Sequence, residues 1–331
     1  MDIKAARAEY DCRLEVEKAL GQPRQRSAKV WMWNCPFHQD HKTPSFAVYQ
    51  DGYKCYGCNE HGDIFDWLAF WSKRRLADVL KSHDVDPLAE IQRKAEYAAK
   101  QAERLEAEIE KAQKTLAELR EVQSWIRYHQ NMDGEYSQAR VMWESRGVPE
   151  WYQDWIKLGY DPSHTFWAGE EYTSPTLTIP IYEPLTWEVV NIKHRILGEA
   201  SDKLGKYRPE KSGLGAVLFP ASPDLPVSGR VIAVEGEIKS MVTYVTLSDA
   251  NIQVVGLPSK NPNEAIIKQL QKCDDVVLCL DPDADNVKAV AHEIGNHVRV
   301  MSLPDKIDDY IITNSLDGDW LKSQVRMARK V

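Results

Sequence analysis

Long hydrophobic runs are absent from this 331-residue sequence, in which no apolar stretch approaches the roughly 20 residues needed to span a bilayer. The first residues also lack the apolar segment of a secretory signal peptide. Both absences argue against a membrane or secreted protein and predict a cytoplasmic one. A hydrophobic fraction of 43% predicts globular domains, and the length allows two or three of ordinary size.

Cysteine is scarce as well, because six residues in a chain of this length are too few for a disulfide scaffold. Four nearby residues have the spacing of metal ligands instead, namely Cys35, His38, Cys55 and Cys58. The remaining cysteines are predicted to be ordinary reduced thiols, namely Cys12, Cys273 and Cys279.

Positive charge is in deficit, with 42 Lys and Arg against 50 Asp and Glu and a net charge of −8. A nucleic-acid enzyme needs basic residues to contact phosphates, so local distribution decides whether such a function is open. The stretch from Lys193 to Lys211 is locally basic. Its basic residues are Lys193, Arg195, Lys203, Lys206, Arg208 and Lys211, against Glu199, Asp202 and Glu210. An acidic total with one basic strip fits an enzyme that also gathers carboxylates around Mg²⁺.

The four metal-ligand residues form two pairs, Cys35-Pro-Phe-His38 and, after sixteen intervening residues, Cys55-Tyr-Gly-Cys58. Three thiolates and one imidazole complete a tetrahedral Zn²⁺ site with no open position, so we expect one structural zinc. Zinc binding, worth on the order of 10–16 kcal/mol, can compensate for the small core of such a domain. His41 and His61 are nearby alternatives for the imidazole ligand, although neither forms a Cys-x₂-His pair.

Aromatic and basic residues alternate around these pairs. The rings are Trp31, Trp33, Phe46, Tyr49, Tyr53 and Tyr56, and the lysines are Lys29, Lys42 and Lys54. This pattern suits single-stranded DNA, whose bases stack on rings while its phosphates meet ammonium groups. Trp33, Lys54 and Tyr56 are the candidate contacts, and the alternative is that about half of the rings fill the small core.

The segment CPFHQDHKTPSFAVYQDGYKCYGCNEHGDIFDWLAF resembles the CHC2-type zinc domain of DnaG-type bacterial primases. The likeness lies in the CPFH and CxGC pairs, the KTPSF strand and the helix start that follows. We assign residues 1–86 to this domain, with short strands at Lys29–Trp33, Ser45–Tyr49 and Gly52–Cys55 and a helix from Ile64.

A long helix is predicted from Leu88 to Ile126, where apolar or alanine residues recur at spacings of three and four, interrupted at Gln123. We assign residues 87–128 to it. Three roles are open: a solvated connector, a coiled-coil dimer, or a helix that binds a partner.

From Arg230 onward, apolar strands alternate with helical stretches, which predicts βα units around a parallel sheet in residues 229–331. The strands are expected at Val231–Val234, Gln253–Val255, Val276–Leu280 and His297–Met301. Two acidic pairs follow strands, Glu235-Gly236-Glu237 and Asp281-Pro282-Asp283. They should meet at the carboxyl edge of the sheet, where hard oxygen ligands suit Mg²⁺ or Mn²⁺.

This spacing of acids resembles the TOPRIM domain shared by DnaG-type primases, topoisomerases and related nucleases. The resemblance implies that Glu235, Asp281 and Asp283 are catalytic metal ligands. It extends to LPDKIDDYI, where Asp309 is the first candidate and Asp305 and Asp308 are alternatives, while Asp285 is expected to be surface. Many relatives have an acid where this chain has Lys239, and Glu237 is the candidate substitute.

The middle region, residues 129–228, resembles the helical opening and the basic cleft of the same polymerase core. The likeness lies in ARVMWESRGVPEWYQDWIKLGY, LTIPIYEPLTWEVVNIKHRIL and KYRPE. It implies that Arg146, Arg195 and Lys206 contact template or nucleoside triphosphate, and Lys193 and Arg208 are further candidates. The alternative is that these are surface residues without a partner.

The expected fold is thus an α+β and α/β multidomain chain with a small β-rich zinc ribbon, a long linker helix, a mixed basic subdomain and a doubly wound parallel TOPRIM sheet. The resemblance implies a DNA primase, a nucleotidyltransferase that makes short RNA primers on single-stranded DNA. The implied partners are template, NTPs and a replicative helicase. The alternatives are a non-catalytic single-stranded DNA-binding protein and a TOPRIM nuclease.

Overall fold

The computed structural model describes residues 3–38, 44–222, 227–247 and 251–330. It divides into two compact units, Met1–Ala107 and Glu108–Val331, and the division falls within one long helix. None of the described helices combines the length and apolar character that a membrane span requires.

The first unit is built on a five-stranded antiparallel sheet whose strands lie in chain order. Its helices are α1 (Ile3–Ala8), α2 (Cys12–Leu20), α3 (Ile64–Ser72), α4 (Leu76–Ser82) and the first part of α5 (Pro87–Val122), which continues into the second unit. Its strands are β1 (Gln25–Arg26), β2 (Trp31–Trp33), β3 (Phe46–Val48), β4 (Gly52–Cys55) and β5 (His61–Asp63). The three strands and the helix start predicted for the zinc domain are therefore present.

Local chemistry explains where α3 begins. Asp63 accepts hydrogen bonds from the backbone N–H groups of Phe65 and Asp66, and the Asp66 carboxylate accepts one from the Asp63 N–H. This capping box satisfies backbone donors that the first helical turn leaves unpaired. The helix then buries Ile64, Phe65 and Trp67 against the sheet.

The long helix ends earlier than predicted. Gln123 has a left-handed backbone with φ of 49°, so α5 stops at Val122 and a separate helix starts at Ser124. The expectation of one continuous helix to Ile126 is therefore wrong, and the residue that interrupts the heptad pattern is the one that breaks the helix.

The second unit begins with helices and a four-stranded antiparallel sheet of order β6-β7-β8-β9. These elements are α6 (Ser124–Gln130), a 3-10 turn (Asn131–Asp133), α7 (Gln138–Glu144), α8 (Glu150–Trp155), β6 (Gly159–Trp167), β7 (Glu171–Tyr182), β8 (Val189–Ile196), α9 (Ala200–Leu204) and β9 (Tyr207–Pro209).

A six-stranded sheet of order β10-β12-β11-β13-β14-β15 follows. Its elements are β10 (Phe219–Pro220), β11 (Arg230–Glu235), α10 (Glu237–Leu247), β12 (Gln253–Leu257), α11 (Glu264–Leu270), β13 (Asp275–Cys279), α12 (Val287–Ile294), β14 (Val298–Val300), α13 (Ile307–Thr313), α14 (Gly318–Met327) and β15 (Arg329–Lys330). The four central strands are parallel, as predicted, while β10 and β15 pair antiparallel at the edges.

Alternate residues of β11 enter different cores. Ile232 and Val234 pack in a large core with the antiparallel sheet, whereas Val231 and Ala233 pack in a second core with α11 and α12. A parallel sheet buried on both faces is the doubly wound arrangement. The large core contains side chains from both residues 129–228 and residues 229–331, so these two assigned regions pack together within one unit.

Candidate functional site

The zinc-ligand candidates lie at the ends of two strands. Cys35 and His38 follow β2, Cys55 is the last residue of β4, and Cys58 lies in the turn after β4. The donor atoms of Cys35, His38, Cys55 and Cys58 all lie within 4.8 Å of one another. Cys35 Sγ is 3.8 Å from Cys58 Sγ, and Cys55 Sγ is 3.7 Å from His38 Nδ1. Two thiolates on one tetrahedral zinc, with Zn–S near 2.3 Å, stand roughly 3.8 Å apart. The four residues therefore fit a closed zinc site.

Backbone donors support the sulfur ligands. The N–H groups of Gly57 and Cys58 donate to Cys55 Sγ at 3.3 and 3.4 Å, and the Phe37 N–H donates to Cys35 Sγ at 3.4 Å. Such donors stabilise thiolate charge. Of the alternative imidazoles, His61 is exposed and its Nδ1 lies 3.1 Å from the carbonyl oxygen of Asn59, and His41 lies outside the described residues.

The aromatic residues of the zinc unit divide between core and surface. Trp33 is 3% exposed and donates its indole N–H to the Gly21 carbonyl, so its predicted role in base stacking is wrong. Tyr56 is 64% exposed, lies beneath the exposed Lys54 ammonium and shares a hydrogen bond with the Tyr49 hydroxyl. Inward-facing rings thus fill the core, and Tyr56 and Lys54 remain available at the surface.

In the second unit, the two acidic pairs follow adjacent parallel strands. Glu235 is the last residue of β11. The last residue of β13 is Cys279, which pairs with Val234 of β11, and Asp281 follows Cys279 by two residues. Gly236 turns the chain into α10 with φ of 90°, a conformation that favours glycine. The predicted edge of the sheet thus carries the predicted acids.

Two lysines neutralise acids at this edge. Lys239, in the first turn of α10, donates to both carboxylate oxygens of Asp281 at 2.5 and 2.6 Å. Lys193, from β8, donates to the buried carboxylate of Glu237. Glu237 is thus held in an ion pair with the antiparallel sheet.

Other acids at the edge lack such partners. Glu235 Oε2 and Asp308 Oδ1 are buried, and neither has a hydrogen-bond partner among the described residues. Burial, together with the neighbouring Asp309 carboxylate, raises the pKa of Asp308. Asp283 and Asp309 are exposed. Within the described parts of the chain, the four zinc-ligand candidates are the only group of metal-ligand residues whose donor atoms all lie this close together, so the acids of the edge are more widely spaced.

The remaining acids of the sequence prediction lie at the surface. Asp285 has an 87% exposed side chain and pairs with Lys260, in agreement with its expected surface position. Asp305 is also exposed.

The predicted basic residues lie on two faces of the antiparallel sheet. Lys193 and Arg195 alternate with the buried His194, and Arg195 pairs across the sheet with Tyr207, whose hydroxyl accepts a hydrogen bond from Arg195 at 2.6 Å. Arg208 pairs with His194 and therefore belongs to the opposite face. There its Nε donates to the Leu204 carbonyl. Lys206 is exposed beside β9.

Arg146 lies between the basic face and the acids. Burial lowers the pKa of Arg146, and the nearby Arg195 guanidinium lowers it further, whereas Tyr207, Asp308 and Asp309 act in the opposite direction. Arg146, Arg195 and Tyr207 therefore form one neighbourhood opposite the acidic edge. The sequence prediction did not include Tyr207, although its place in KYRPE opposite a basic strand was a usable signal.

Comparisons with known proteins agree with this architecture. Residues 16–99 match the CHC2 zinc finger family model. The DNA primase of Buchnera aphidicola is 39% identical over 61 residues, which are 18% of this chain and 10% of that protein. The DNA primase of Chlamydia trachomatis is 52% identical over 46 residues, 13% of this chain and 8% of that protein. The chain thus spans a small part of the curated relatives that it matches.

Solved structures extend the likeness beyond the zinc finger. The DnaG catalytic core aligns with 65% of this chain and 80% of its own, with a TM-score of 0.53 and 16% identity. A DnaG primase catalytic domain bound to ssDNA aligns with 66% of this chain and 83% of its own, with a TM-score of 0.51 and 17% identity. The zinc finger match and the shared core fold confirm the resemblance to DnaG-type primases and the predicted fold class.

Proposed function

We propose that this chain is a DNA primase, a DNA-directed RNA polymerase that makes short primers on single-stranded DNA. The observation that carries the proposal is the acidic edge of the parallel sheet facing the basic residues of β8 in one compact unit. In the same chain, residues 16–99 match a CHC2 zinc finger. The DNA-bound relative described above supports template binding.

Primer synthesis is nucleotidyl transfer, in which the 3′-hydroxyl of one nucleotide attacks the α-phosphate of the next and pyrophosphate leaves. We assign Arg146, Lys193 and Arg195 to the triphosphate or the template backbone, because their positive charges face the acidic edge. Lys206 and Arg208 are proposed to contact the template away from the acidic edge.

We propose that the acidic edge also binds Mg²⁺ or Mn²⁺ through Glu235, Asp283 and Asp309. The buried, unpartnered Glu235 Oε2 supports this assignment, since a buried carboxylate oxygen needs a donor or a cation. A bound divalent cation would supply charge stabilisation for the transferring phosphoryl group. Asp281, the fourth predicted ligand, is already bound by Lys239 through both oxygens.

The zinc unit is proposed to read the template. Its zinc would be structural, and the exposed Tyr56 and Lys54 would stack on a base and contact a phosphate. A cytoplasmic location, a replicative helicase partner and a dimer formed through α5 are further proposals. The exposed Leu105 and Ile109 on the heptad seam support the dimer.

A second function is a non-catalytic protein that binds single-stranded DNA. The ion pair between Lys239 and Asp281 favours it, because an acid neutralised by lysine is a poor cation ligand. No specific feature of the described residues favours the TOPRIM nuclease.

A labelled-NTP assay on single-stranded DNA separates these functions. The primase yields RNA of defined length, and Glu235→Gln or Asp283→Asn should lower synthesis by orders of magnitude while the fold and DNA affinity persist. Asp285→Asn, which removes an exposed charge from the same loop, is the matched control. DNA binding without RNA products in the unmutated protein would favour the non-catalytic function.

A further inference from the structure

Lys239 lies at the acidic edge, in contact with Asp281. Its Nζ lies 2.5 and 2.6 Å from the two carboxylate oxygens of Asp281, so one ammonium engages both oxygens of one acid. The side chains are 15% and 11% exposed. Partial burial reduces solvent screening and strengthens such a pair relative to one at the surface.

This pair leaves Asp281 poorly suited to bind a divalent cation. A magnesium ligand oxygen stands about 2.1 Å from its ion, so a cation on Asp281 would come within a few ångströms of the Lys239 ammonium. Two like charges at that separation repel each other strongly where water is partly excluded. Glu237 offers no substitute, since its carboxylate holds the Lys193 ammonium.

The remaining acids are placed differently. Glu235 Oε2 and Asp308 Oδ1 are buried without a partner among the described residues, and Asp308 is 9% exposed. Asp283 and Asp309 are exposed acids of the same edge, and no ion pair of either is present in the described parts of the chain. In the described parts of the chain no lysine or arginine forms an ion pair with these acids, whereas Asp281 already has a cationic partner.

We propose that Lys239 is a built-in cation of this centre, which takes the place of a divalent ion at Asp281. The centre accordingly binds one divalent cation fewer than it would with a neutral or acidic residue at position 239. The inference rests on the proposed function only in taking the acidic edge as a cation-binding site. It predicts a metal stoichiometry that can be measured without primer synthesis.

The experiment is Mn²⁺ titration by isothermal calorimetry on the full, zinc-saturated chain, free of nucleotide and DNA. Lys239→Met removes the charge and keeps a long side chain, and Lys239→Glu adds an acid. Both variants should bind one more Mn²⁺ than the unmutated chain, or bind Mn²⁺ at least about tenfold more tightly. Lys260→Met is the matched control, because it removes an exposed lysine that pairs with the exposed Asp285.

Asp281→Asn in the otherwise unmutated chain provides an independent arm. It should leave the number of bound Mn²⁺ ions unchanged, since Lys239 and not a divalent ion is the partner of Asp281. Loss of one Mn²⁺ in Asp281→Asn, or identical isotherms for Lys239→Met, Lys260→Met and the unmutated chain, would overturn the proposal. If a Lys239 variant does not fold, the Asp281→Asn stoichiometry alone decides.

Failure of this proposal and failure of the proposed primase function give different results. An unmutated chain that makes no RNA while Lys239→Met gains a Mn²⁺ site would refute the polymerase function and support the role of Lys239. An active chain whose Asp281→Asn variant loses a Mn²⁺ site would do the reverse.

Discussion

The imidazole of His38 lies where a side chain on Gly57 would stand. A Cβ at position 57 would come within 2.6 Å of His38 Nε2 and 2.7 Å of Cε1. These distances are shorter than any ordinary contact, so a larger residue must displace the ring. Gly57 also supplies a backbone N–H to Cys55 Sγ. The glycine of the CxGC pair therefore sets the position of one zinc ligand and supports another.

Gly57→Ala should weaken zinc retention because it moves the His38 ring away from the three thiolates. We expect zinc affinity to fall on the order of tenfold or more, as when the support of a ligand is lost. Zinc release to a chromogenic chelator measures the change. Gly215→Ala is the control, since a Cβ there meets nothing within 4 Å. Equal release from both variants would contradict this role of Gly57.

At the scale of strands, the buried face of the antiparallel sheet contains a linked set of titratable groups. The His194 ring lies against the His164 ring at a centroid separation of 3.8 Å, with the two ring planes tilted by 30°. His194 Nε2 lies 3.3 Å from Glu210 Oε2, and Ser124 donates to the other oxygen of Glu210 at 2.8 Å. Asp161 lies 3.0 Å from His164 Nδ1. The set joins β6, β8 and α6 to the segment after β9.

These contacts make the stability of the second unit depend on pH. Burial, aided by the nearby His164, lowers the pKa of His194. Burial opposes the charged forms of Glu210 and Asp161, yet hydrogen bonds from His194 and Ser124 and from His164 hold both pKa values below their ordinary range. The unfolded chain therefore takes up these protons at higher pH than the folded chain does. By linkage, the stability conferred by all three groups falls as the pH falls.

Acidification from pH 7 should thus lower the free energy of unfolding, beginning near pH 6.5 where an unperturbed histidine titrates. One histidine contributes a slope of at most about 1.4 kcal/mol per pH unit. Denaturant unfolding between pH 7.5 and 5 measures it, and His194→Gln should flatten the profile. His292→Gln, an exposed histidine on α12, should keep the slope of the unmutated chain. A stability independent of pH in this window would contradict the buried network.

The helix α5 is packed near each of its ends and exposed in its middle. Lys94 donates to the Asp66 carboxylate at 2.6 and 2.8 Å in the first unit, and Leu119 is buried in the second. Between them, residues 98–111 are exposed throughout. Their heptad seam has Ala98, Ala102, Leu105 and Ile109.

Deleting residues 98–111 removes two heptads, about 21 Å of helix at 1.5 Å per residue, and preserves the heptad phase. If α5 spaces the template reader from the polymerase core, the deletion should change primer length or start-site use more than the KM for NTPs. Primer sizing and initial rates on one template measure both. Unchanged primers with a dimer lost in sedimentation would favour the coiled-coil alternative.

At the scale of the whole molecule, local patterns were predictable and tertiary pairings were not. Cys35, His38, Cys55 and Cys58 are in two short pairs, and the parallel strands are continuous apolar runs. Alternation along β2 could not tell which face becomes the core, so Trp33 was misassigned.

The ion pairs of the acidic edge could not be predicted from the sequence, because they join residues that are far apart along the chain. Lys239 and Asp281 are 42 residues apart, and Lys193 and Glu237 are 44 apart. The sequence has a lysine at position 239, where the resemblance to primases implies an acid. Its contact with both oxygens of Asp281 depends on how α10 and β13 are arranged in the folded unit.

The two units should respond separately to metal removal, because the apolar core of the zinc unit is a cluster distinct from those of the second unit. A small domain depends on zinc for folding, whereas the doubly wound sheet has a large core of its own. Chelation or Cys58→Ser should therefore abolish the first unit's cooperative unfolding and leave the second unit's transition in place. Differential scanning calorimetry with zinc analysis measures both effects.

Cys273→Ser is the matched control, since this thiol is buried in the second unit and lies far in sequence from the zinc ligands. This variant should lower the midpoint temperature of the second unit's transition only, and it should retain one equivalent of zinc. Combining Cys55→Ser with Cys58→Ser tests the ligand set itself, because two remaining donors cannot complete a tetrahedral site. One tightly bound zinc in that double variant would refute the assignment, whatever the calorimetric transitions show.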